Sequence, residues 1–371
     1  MQLKYILKSI SDTYNFKENS NVIFLNTGDI LAGKILHNNY SDAKYLPGQA
    51  KKSIRNQDIL FSEIRPANQR FALVNVENPN DYVVSTKLMV LRCFNPNYTV
   101  EYVYNFLTQT TTLNQLQTLA ESRSGTFPQI TFAEIESLEI PDLSLEEQKH
   151  IVDILGSLDN SIENAQKSLE LLDSQIHSFF RLFYEGLNDY STIENECVCL
   201  LGGTPKTNNP DFWNGSINWI NSGEVNKLRI TQASKTITEL GLQKSATKML
   251  SKGTTVIAIT GATLGQVSLL EIDACANQSV IGIISKKWNK DYIYPLICYH
   301  IKDLISKQTG GAQQHINMND VKSLVIRIPN LEDYKHYSQK TLPLFEKQSN
   351  LCKKIKKLNQ LKELYLKKFF D

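Results

Sequence analysis

Long apolar runs are missing from this chain of 371 residues. No stretch of about 18 apolar residues occurs, so a membrane-spanning helix is not expected. The opening segment, Met1 to Tyr14, carries Lys4, Lys8, Ser9, Ser11 and Asp12 and lacks the apolar core of a secretory signal. Cysteine is sparse. Cys93, Cys197, Cys199, Cys275, Cys298 and Cys352 are scattered, which argues against a disulfide framework and leaves the Cys197–Cys199 pair as a weak metal signal. Reduced thiols in a cytoplasmic protein are the expectation. An excess of one charge is also absent: 40 Lys and Arg stand against 38 Asp and Glu, a net +2. That balance neither demands nor excludes nucleic acid, because a basic face can sit inside a near-neutral total. What is present is a globular composition, 41% hydrophobic and 21% charged, with length for two or three domains.

Recognisable catalytic equipment is missing as well. The histidines His37, His150, His177, His300, His315 and His336 show no H-E-x-x-H or paired-ligand spacing, and His177 falls on a helix flank. Thr260 to Gln266 (TGATLGQ) is Gly-rich and follows a strand pattern, yet lacks the Gly-Lys-Ser/Thr ending that cradles a nucleotide phosphate. It reads as a tight turn, or as backbone amides brought close to a DNA phosphate. Asn209 to Phe212 (NPDF) resembles the Asn/Asp-Pro-Pro-Tyr/Phe loop of amino-methyltransferases, but its third residue is Asp and no Gly-rich cofactor loop follows a strand upstream. These absences favour a binding module over a diverged stand-alone methyltransferase or nuclease, or over a coiled-coil scaffold for protein partners.

The chain is a doubled half. SGTFPQITFAEIESLEIP (Ser124 to Pro141) returns as GGAQQHINMNDVKSLVIRIP (Gly310 to Pro329), and Leu145–His150 (LEEQKH) returns as Leu331–His336 (LEDYKH), an offset of 336 − 150 = 186 residues. Phe24–Asp29 (FLNTGD) likewise resembles Trp219–Glu224 (WINSGE). The frames agree and the stretches between them differ.

Each half closes on a long helical pattern. Ile151, Leu155, Leu158, Ile162, Ala165, Leu169, Leu172, Ile176, Phe179 and Phe183 alternate steps of four and three, a heptad seam roughly 50 Å long at about 1.5 Å per residue. Ser144 with Glu147 forms a capping box at its start, and Gly186 marks its end. The second pattern runs through Leu344, Leu351, Ile355, Leu358, Tyr365 and Phe369, with Gln348 and Lys362 interrupting it. Two helices of equal length with similar seams are expected to pair, antiparallel. The globular stretches read as mixed α/β: Asp58–Ser62, Thr255–Ile259 and Ser279–Ile284 as buried strands, Val100–Leu119 and Tyr292–Ser306 as helices.

Several loops combine glycine, hydroxyls, basic residues and planar side chains. Leu201–Trp213 (LGGTPKTNNPDFW) offers Thr204, Lys206 and Thr207 to phosphates, and its amides can read adenine edges. Arg123, Ser124 and Thr126 in one repeat match Gln313, Gln314 and His315 in the other: related loops with different polar content, as two readers of different half-sites require. Arg65 and Arg70, beside Lys51, Lys52 and Arg55, form a further basic set, and Thr263 lies in the TGATLGQ turn. These are the candidate DNA contacts.

The residues Gly202 to Val225, Thr260 to Val267, the SGTFPQI and GGAQQHI loops, and above all the run from Ile140 to Ile162 resemble the specificity subunits of type I restriction–modification systems. In order and in duplicate they span nearly the whole chain. The resemblance implies an α/β (α+β) fold with an internal pseudo-two-fold repeat. Target-recognition domains at 1–143 and 187–330 would be separated by a central spacer helix at 144–186 and a C-terminal one at 331–371. The two helices would form an antiparallel coiled coil. It implies that the chain binds an interrupted target in double-stranded DNA and catalyses nothing. Ile151, Leu155, Leu158, Ile162, Leu169, Leu172, Ile176, Leu351, Ile355 and Leu358 would build the strut on which two modification subunits dock, joined by restriction (nuclease–translocase) subunits. No cofactor is expected in this chain; S-adenosylmethionine, ATP and Mg would belong to the partners. Two departures stand out. The first half lacks the GGTP opening of Gly202–Pro205, and the C-terminal copy has Leu331-Glu332-Asp333-Tyr334 where the first has Leu145-Glu146-Glu147-Gln148.

Overall fold

The computed structural model describes residues 1–17, 19–122, 128–306 and 315–371. The chain divides into two compact units, Met1–Ile162 with Leu358–Asp371, and Glu163–Lys357. Both boundaries fall inside long helices, Leu145–Glu185 (the central helix) and Leu331–Phe370 (the C-terminal helix). Among the described residues no helix is long and apolar enough to cross a membrane.

In the first unit, four antiparallel strands lie in the order Leu7–Ile10, Leu88–Cys93, Ile59–Ser62, Phe71–Leu73. Beside them Asn21–Leu25 pairs in parallel with Tyr82–Ser85. The second unit repeats this plan. Cys197–Leu201, Val280–Ser285, Thr255–Ala258 and Val267–Leu270 form the same antiparallel series, extended by Arg229–Ile230, and Trp213–Ile220 pairs in parallel with Cys275–Ala276. Strand order and sense are thus duplicated along with the sequence.

The repeat reaches into the caps. Asp29 accepts the Asn26 backbone N–H at 2.8 Å, and Glu224 accepts that of Asn221 at 3.0 Å. Glu134 accepts from Thr131 N at 2.7 Å and Asp320 from Asn317 N at 3.0 Å. Glu147 accepts from Ser144 N at 2.8 Å, and Asn330 Oδ1 accepts from Asp333 N at 2.9 Å. Each cap satisfies a backbone donor that the helix itself cannot, worth about 1 kcal/mol. The frame residues that match in sequence are therefore the ones that start elements.

The predicted helices Val100–Leu119 and Tyr292–Ser306 are each broken. Val100–Thr108 is followed by Thr110–Glu121, and Lys290–Tyr299 by Ile301–Ser306. Gln109 takes an extended conformation (ψ 152°) ahead of three β-branched threonines, which hold helix poorly. Its side chain is buried and donates to Thr112 Oγ1 at 3.1 Å.

Within each unit the two long helices run antiparallel. In the first, Lys362 Nζ meets Asp159 Oδ1 at 2.6 Å, and Ile151 and Leu155 share a core with Leu366 and Phe370. In the second, Gln348 Nε2 donates to Asp173 Oδ1 at 3.3 Å, and Ile176 packs in one cluster with Phe345. Full burial of such side chains contributes about 1.5–3 kcal/mol each. Ile151, Leu155, Ile162, Ala165, Leu172 and Ile176 are buried as the heptad requires, while Leu158, Leu169, Leu351, Ile355 and Leu358 are half-buried. The seam then departs from the predicted one. Phe179 is 46% exposed, and Phe180 and Tyr184 take the buried positions. Phe180 lies against Tyr292 and Tyr337, so the tyrosines of the neighbouring helices select it over Phe179.

Candidate nucleic-acid interface

In the second unit several chain segments come together at the ends of strands from two sheets. The strand Cys197–Leu201 runs into Gly202 and Gly203, whose N–H groups donate to Val280 O at 3.0 Å and Ala276 O at 2.8 Å. Both glycines are required by contact: a Cβ on Gly202 would collide with the Asn277 carbonyl, and one on Gly203 would stand 2.5 Å from Thr247 N. The close approach delivers Thr204, whose Oγ1 donates to Gln278 Oε1 at 2.5 Å. Asn277 N donates to Ile220 O at 3.0 Å, which brings in the capped turn Ser222–Asn226. Ile259 N donates to Ser279 O at 2.9 Å, and Thr260 bridges His315. Thr204, Gln278, Thr263 and His315 therefore belong to loops gathered at the strand ends of two neighbouring sheets. His315, Thr204 and Gln278 are exposed and Thr263 is half-buried.

Lys206 and Thr207 are exposed on the loop after Thr204. Trp213 Nε1 donates to Lys206 O at 3.2 Å, and Trp219 Nε1 to Gly203 O at 3.1 Å, so two tryptophans in edge-to-face contact, 5.1 Å apart, support the loop from behind. Asn209 caps the turn Pro210–Phe212 through Asp211 N at 3.1 Å, and Phe212 is buried. The NPDF stretch is thus a capped turn anchored by an aromatic.

The first unit builds matching loops from other residues. Arg65 N donates to Pro128 O at 3.0 Å and Ile130 N to Glu63 O at 2.8 Å, alongside the bridge of Ile64 with Gln129. Arg65 and Gln69 flank the turn Pro66–Asn68 with φ of +47° and +55°. Gly261, the first residue of the matching turn Gly261–Thr263, and Gly265, two residues past its end, have φ of +70° and +80°. The Arg65 loop is therefore the counterpart of TGATLGQ, with larger side chains held in the left-handed region that costs them about 1–2 kcal/mol. Arg65 is exposed. Arg70 is committed within the fold: its Nη1 donates to Gly28 O and Ile30 O, both at 3.0 Å, and so fixes the capped turn Thr27–Asp29. Lys52 is committed too. Its Nζ donates to Leu88 O at 2.8 Å and Thr86 O at 3.3 Å, and burial pushes the ammonium below its usual range. Lys51 and Arg55 are exposed. Arg123, Ser124, Thr126, Gln313 and Gln314 lie outside the described residues.

Among the described residues no three His, Cys, Asp or Glu side chains are grouped to hold a metal ion. Burial pushes the Cys197 and Cys199 thiols up to about 12 and about 11, so both stay protonated at neutral pH, and thiols in that state are poor metal ligands.

The loops recur in both units, and so does the family match. A family model for the type I restriction modification DNA specificity domain matches residues 4–173 and again residues 189–363. The chain belongs to the type I restriction–modification DNA specificity family. It is 27% identical to the type I restriction enzyme HindI specificity subunit of Haemophilus influenzae, across 99% of this chain and 97% of that one. The EcoR124I/EcoR124II specificity subunit of Escherichia coli is 28% identical across 52% of this chain and 50% of its own. The S subunit of a type I restriction–modification system from M. genitalium shares the fold, with a TM-score of 0.55 at 14% identity over 100% of this chain and 95% of that chain.

Within this specificity-family fold, two exposed residues escaped the sequence reading. Gln278 and Lys87 sit on the turns that follow the parallel-paired strands Cys275–Ala276 and Tyr82–Ser85. Their signal was available only as position. Gln278 Oε1 accepts from Thr204 Oγ1, and Lys87 O accepts from Glu63 N at 3.2 Å, beside Arg65.

Proposed function

We propose that this chain reads a bipartite sequence in double-stranded DNA for a type I restriction–modification complex and leaves the chemistry to its partners. The observation that carries the reading is the duplicated set of loops at the strand ends: one frame of strands and caps, presented twice, with different polar residues on matching loops. Target-recognition domain 1 spans 1–143 and domain 2 spans 187–330, with spacer helices at 144–186 and 331–371. Arg65, Thr204, Lys206, Thr207, Thr263, Gln278 and His315 face the DNA, together with Arg123, Ser124, Thr126, Gln313 and Gln314. Arg70 acts by holding the turn beside them. Base edges are read by the amides, Arg65 and His315, and phosphates are held by Lys206 and the hydroxyls.

Two modification subunits dock on the helix pair, which offers matching faces because the helix starts repeat, and restriction subunits join them. S-adenosylmethionine, ATP and Mg are bound by those partners, and the assembly works in the cytoplasm. The test is co-expression with the adenine-methylating subunit of its own system, followed by mapping of methylated adenines. A motif of two short half-sites around a fixed gap is the expected result, and replacing residues 1–143 with those of a relative changes one half-site only. A single uninterrupted motif, or micromolar S-adenosylmethionine binding by the isolated chain, overturns the reading.

A further inference from the structure

A line of buried polar groups crosses the second unit from its sheet to both long helices. Arg229, on the edge strand Arg229–Ile230, has a side chain only 2% exposed. Its Nη1 meets Glu271 Oε1 at 2.6 Å, and its Nη2 donates to Gln348 Oε1 on the C-terminal helix. Gln348 Nε2 passes the link to Asp173 on the central helix at 3.3 Å. Ser349 Oγ donates to Glu271 Oε2 at 2.7 Å, Lys252 Nζ stands 3.5 Å from the same oxygen, and the guanidinium lies 5.1 Å from the Phe345 ring centre. Tyr294 and His177 complete the surroundings of Asp173, at 3.4 and 3.2 Å.

Apolar side chains tolerate sliding and rotation. A planar guanidinium bonded on two sides accepts one orientation, and leaving either partner unpaired in the interior is costly. At the repeat-matched positions of Gln348 and Asp173 the first unit has Ile162 and Asn359. Ile162 is buried and its side chain has no hydrogen-bonding group, so it cannot make the link that Gln348 makes in the second unit. One base pair added between two half-sites turns the second by roughly 35° and moves it by about 3.4 Å. A head free to pivot follows that change and a clamped one does not.

We propose that Arg229 is a positioning residue: through Gln348 and Asp173 it fixes the angle of the second recognition domain on its helices, and so makes the complex reject targets whose gap differs by one base pair. The inference rests on the bipartite-target reading. The test uses the full chain with its methylating subunit and a plasmid library carrying the wild-type motif with gaps of n − 1, n and n + 1. Arg229→Met and Gln348→Leu raise methylation at the wrong gaps relative to n by at least about tenfold, with the bases read in each half-site unchanged. Arg229→Lys restores part of the discrimination, and Lys362→Met in the first unit leaves it intact. Gln348→Leu keeps the Arg229–Glu271 pair and decides the matter if Arg229→Met does not fold. A folded Gln348→Leu complex that stays as strict as the wild type, or loses methylation in equal proportion at every gap, overturns the proposal. Failure of the underlying reading looks different, because the wild-type complex itself then yields no bipartite motif.

Discussion

Asn289 donates its backbone N–H to the Tyr334 hydroxyl at 2.9 Å. Its repeat partner Thr99 donates to Gln148 Oε1, also at 2.9 Å. The replacement of Gln by Tyr in the second LEEQKH block therefore keeps an acceptor at the start of the helix packed beneath it. Tyr334→Phe removes that acceptor and the bond to Asp291 Oδ1 at 3.0 Å. Gln148→Leu also loses the bonds to Asn97 O and Leu143 O, at 2.8 and 2.9 Å. Denaturant unfolding should register a loss of about 1–3 kcal/mol for Tyr334→Phe and more for Gln148→Leu. Two variants indistinguishable from wild type would refute the assignment.

Gly265 and Gln69 occupy the same place in the two repeats with opposite tolerance. A Cβ on Gly265 would stand 2.5 Å from Ile305 Cδ1 at a φ of +80°. Gly265→Ala is expected to cost about 1–3 kcal/mol. Gln69→Gly relieves a left-handed side chain but frees the unfolded backbone, so it changes stability by less than about 1 kcal/mol. Thermal melts of the two variants give the comparison; equal losses would contradict it.

Much of this fold was legible in advance. The heptad steps and the Ser144–Glu147 cap announce the central helix, and the matched blocks announce the duplication, because periodicity and caps are local signals. The end of the seam was not legible. Phe179-Phe180 and Phe183-Tyr184 offer two adjacent aromatic faces, and only the tyrosines packed against them decide which is buried. Gln348 reads as an interruption because its partner Arg229 is distant in sequence. Among the candidate contacts, the Arg65 loop hid its kinship with TGATLGQ, since the usual mark of a left-handed position, glycine, is absent there. Arg70 looked like a free cation for the same reason that Lys52 did: the sequence does not record which carbonyls a long side chain reaches.

Glu271 gives the second unit an acid sensitivity. Burial alone would raise its carboxyl, but the hydrogen bond from Ser349 and the Arg229 guanidinium outweigh that and hold it below the ordinary range. A lowered folded value means the stabilisation is complete above the unfolded value of about 4.3 and is lost as pH falls through the folded one. Glu271→Gln should therefore destabilise by something on the order of 3 kcal/mol near neutrality. The gap between variant and wild type should narrow as pH falls below about 4.3 and close once the folded carboxyl is protonated. A difference independent of pH would speak against the ion pair.

Lys206 and Gln278 should separate phosphate anchoring from base reading. In the assembled complex, Lys206→Ala weakens cognate and random DNA alike and lowers the salt slope by about one. Gln278→Ala costs about 1–3 kcal/mol on the cognate target and relaxes the preference at one position. Binding titrations at several salt concentrations, on cognate and altered duplexes, distinguish the two; identical behaviour of both variants would remove the distinction.

Deleting Leu358–Asp371 should unfold the first unit while sparing the second. Leu366 and Phe370 lie in the core that also holds Tyr102, Phe106, Ile151 and Leu155. Limited proteolysis of the shortened chain is expected to degrade residues 1–162 ahead of the remainder, and equal protection of both units would count against it.

That discontinuous core orders events at the ribosome. Everything the second unit needs has been translated by Lys357, whereas the half written first still waits for a wall of its interior. Vectorial synthesis, which ordinarily lets the leading domain fold ahead of its successors, here completes the later half first and leaves the earlier one open until the final turns of helix emerge.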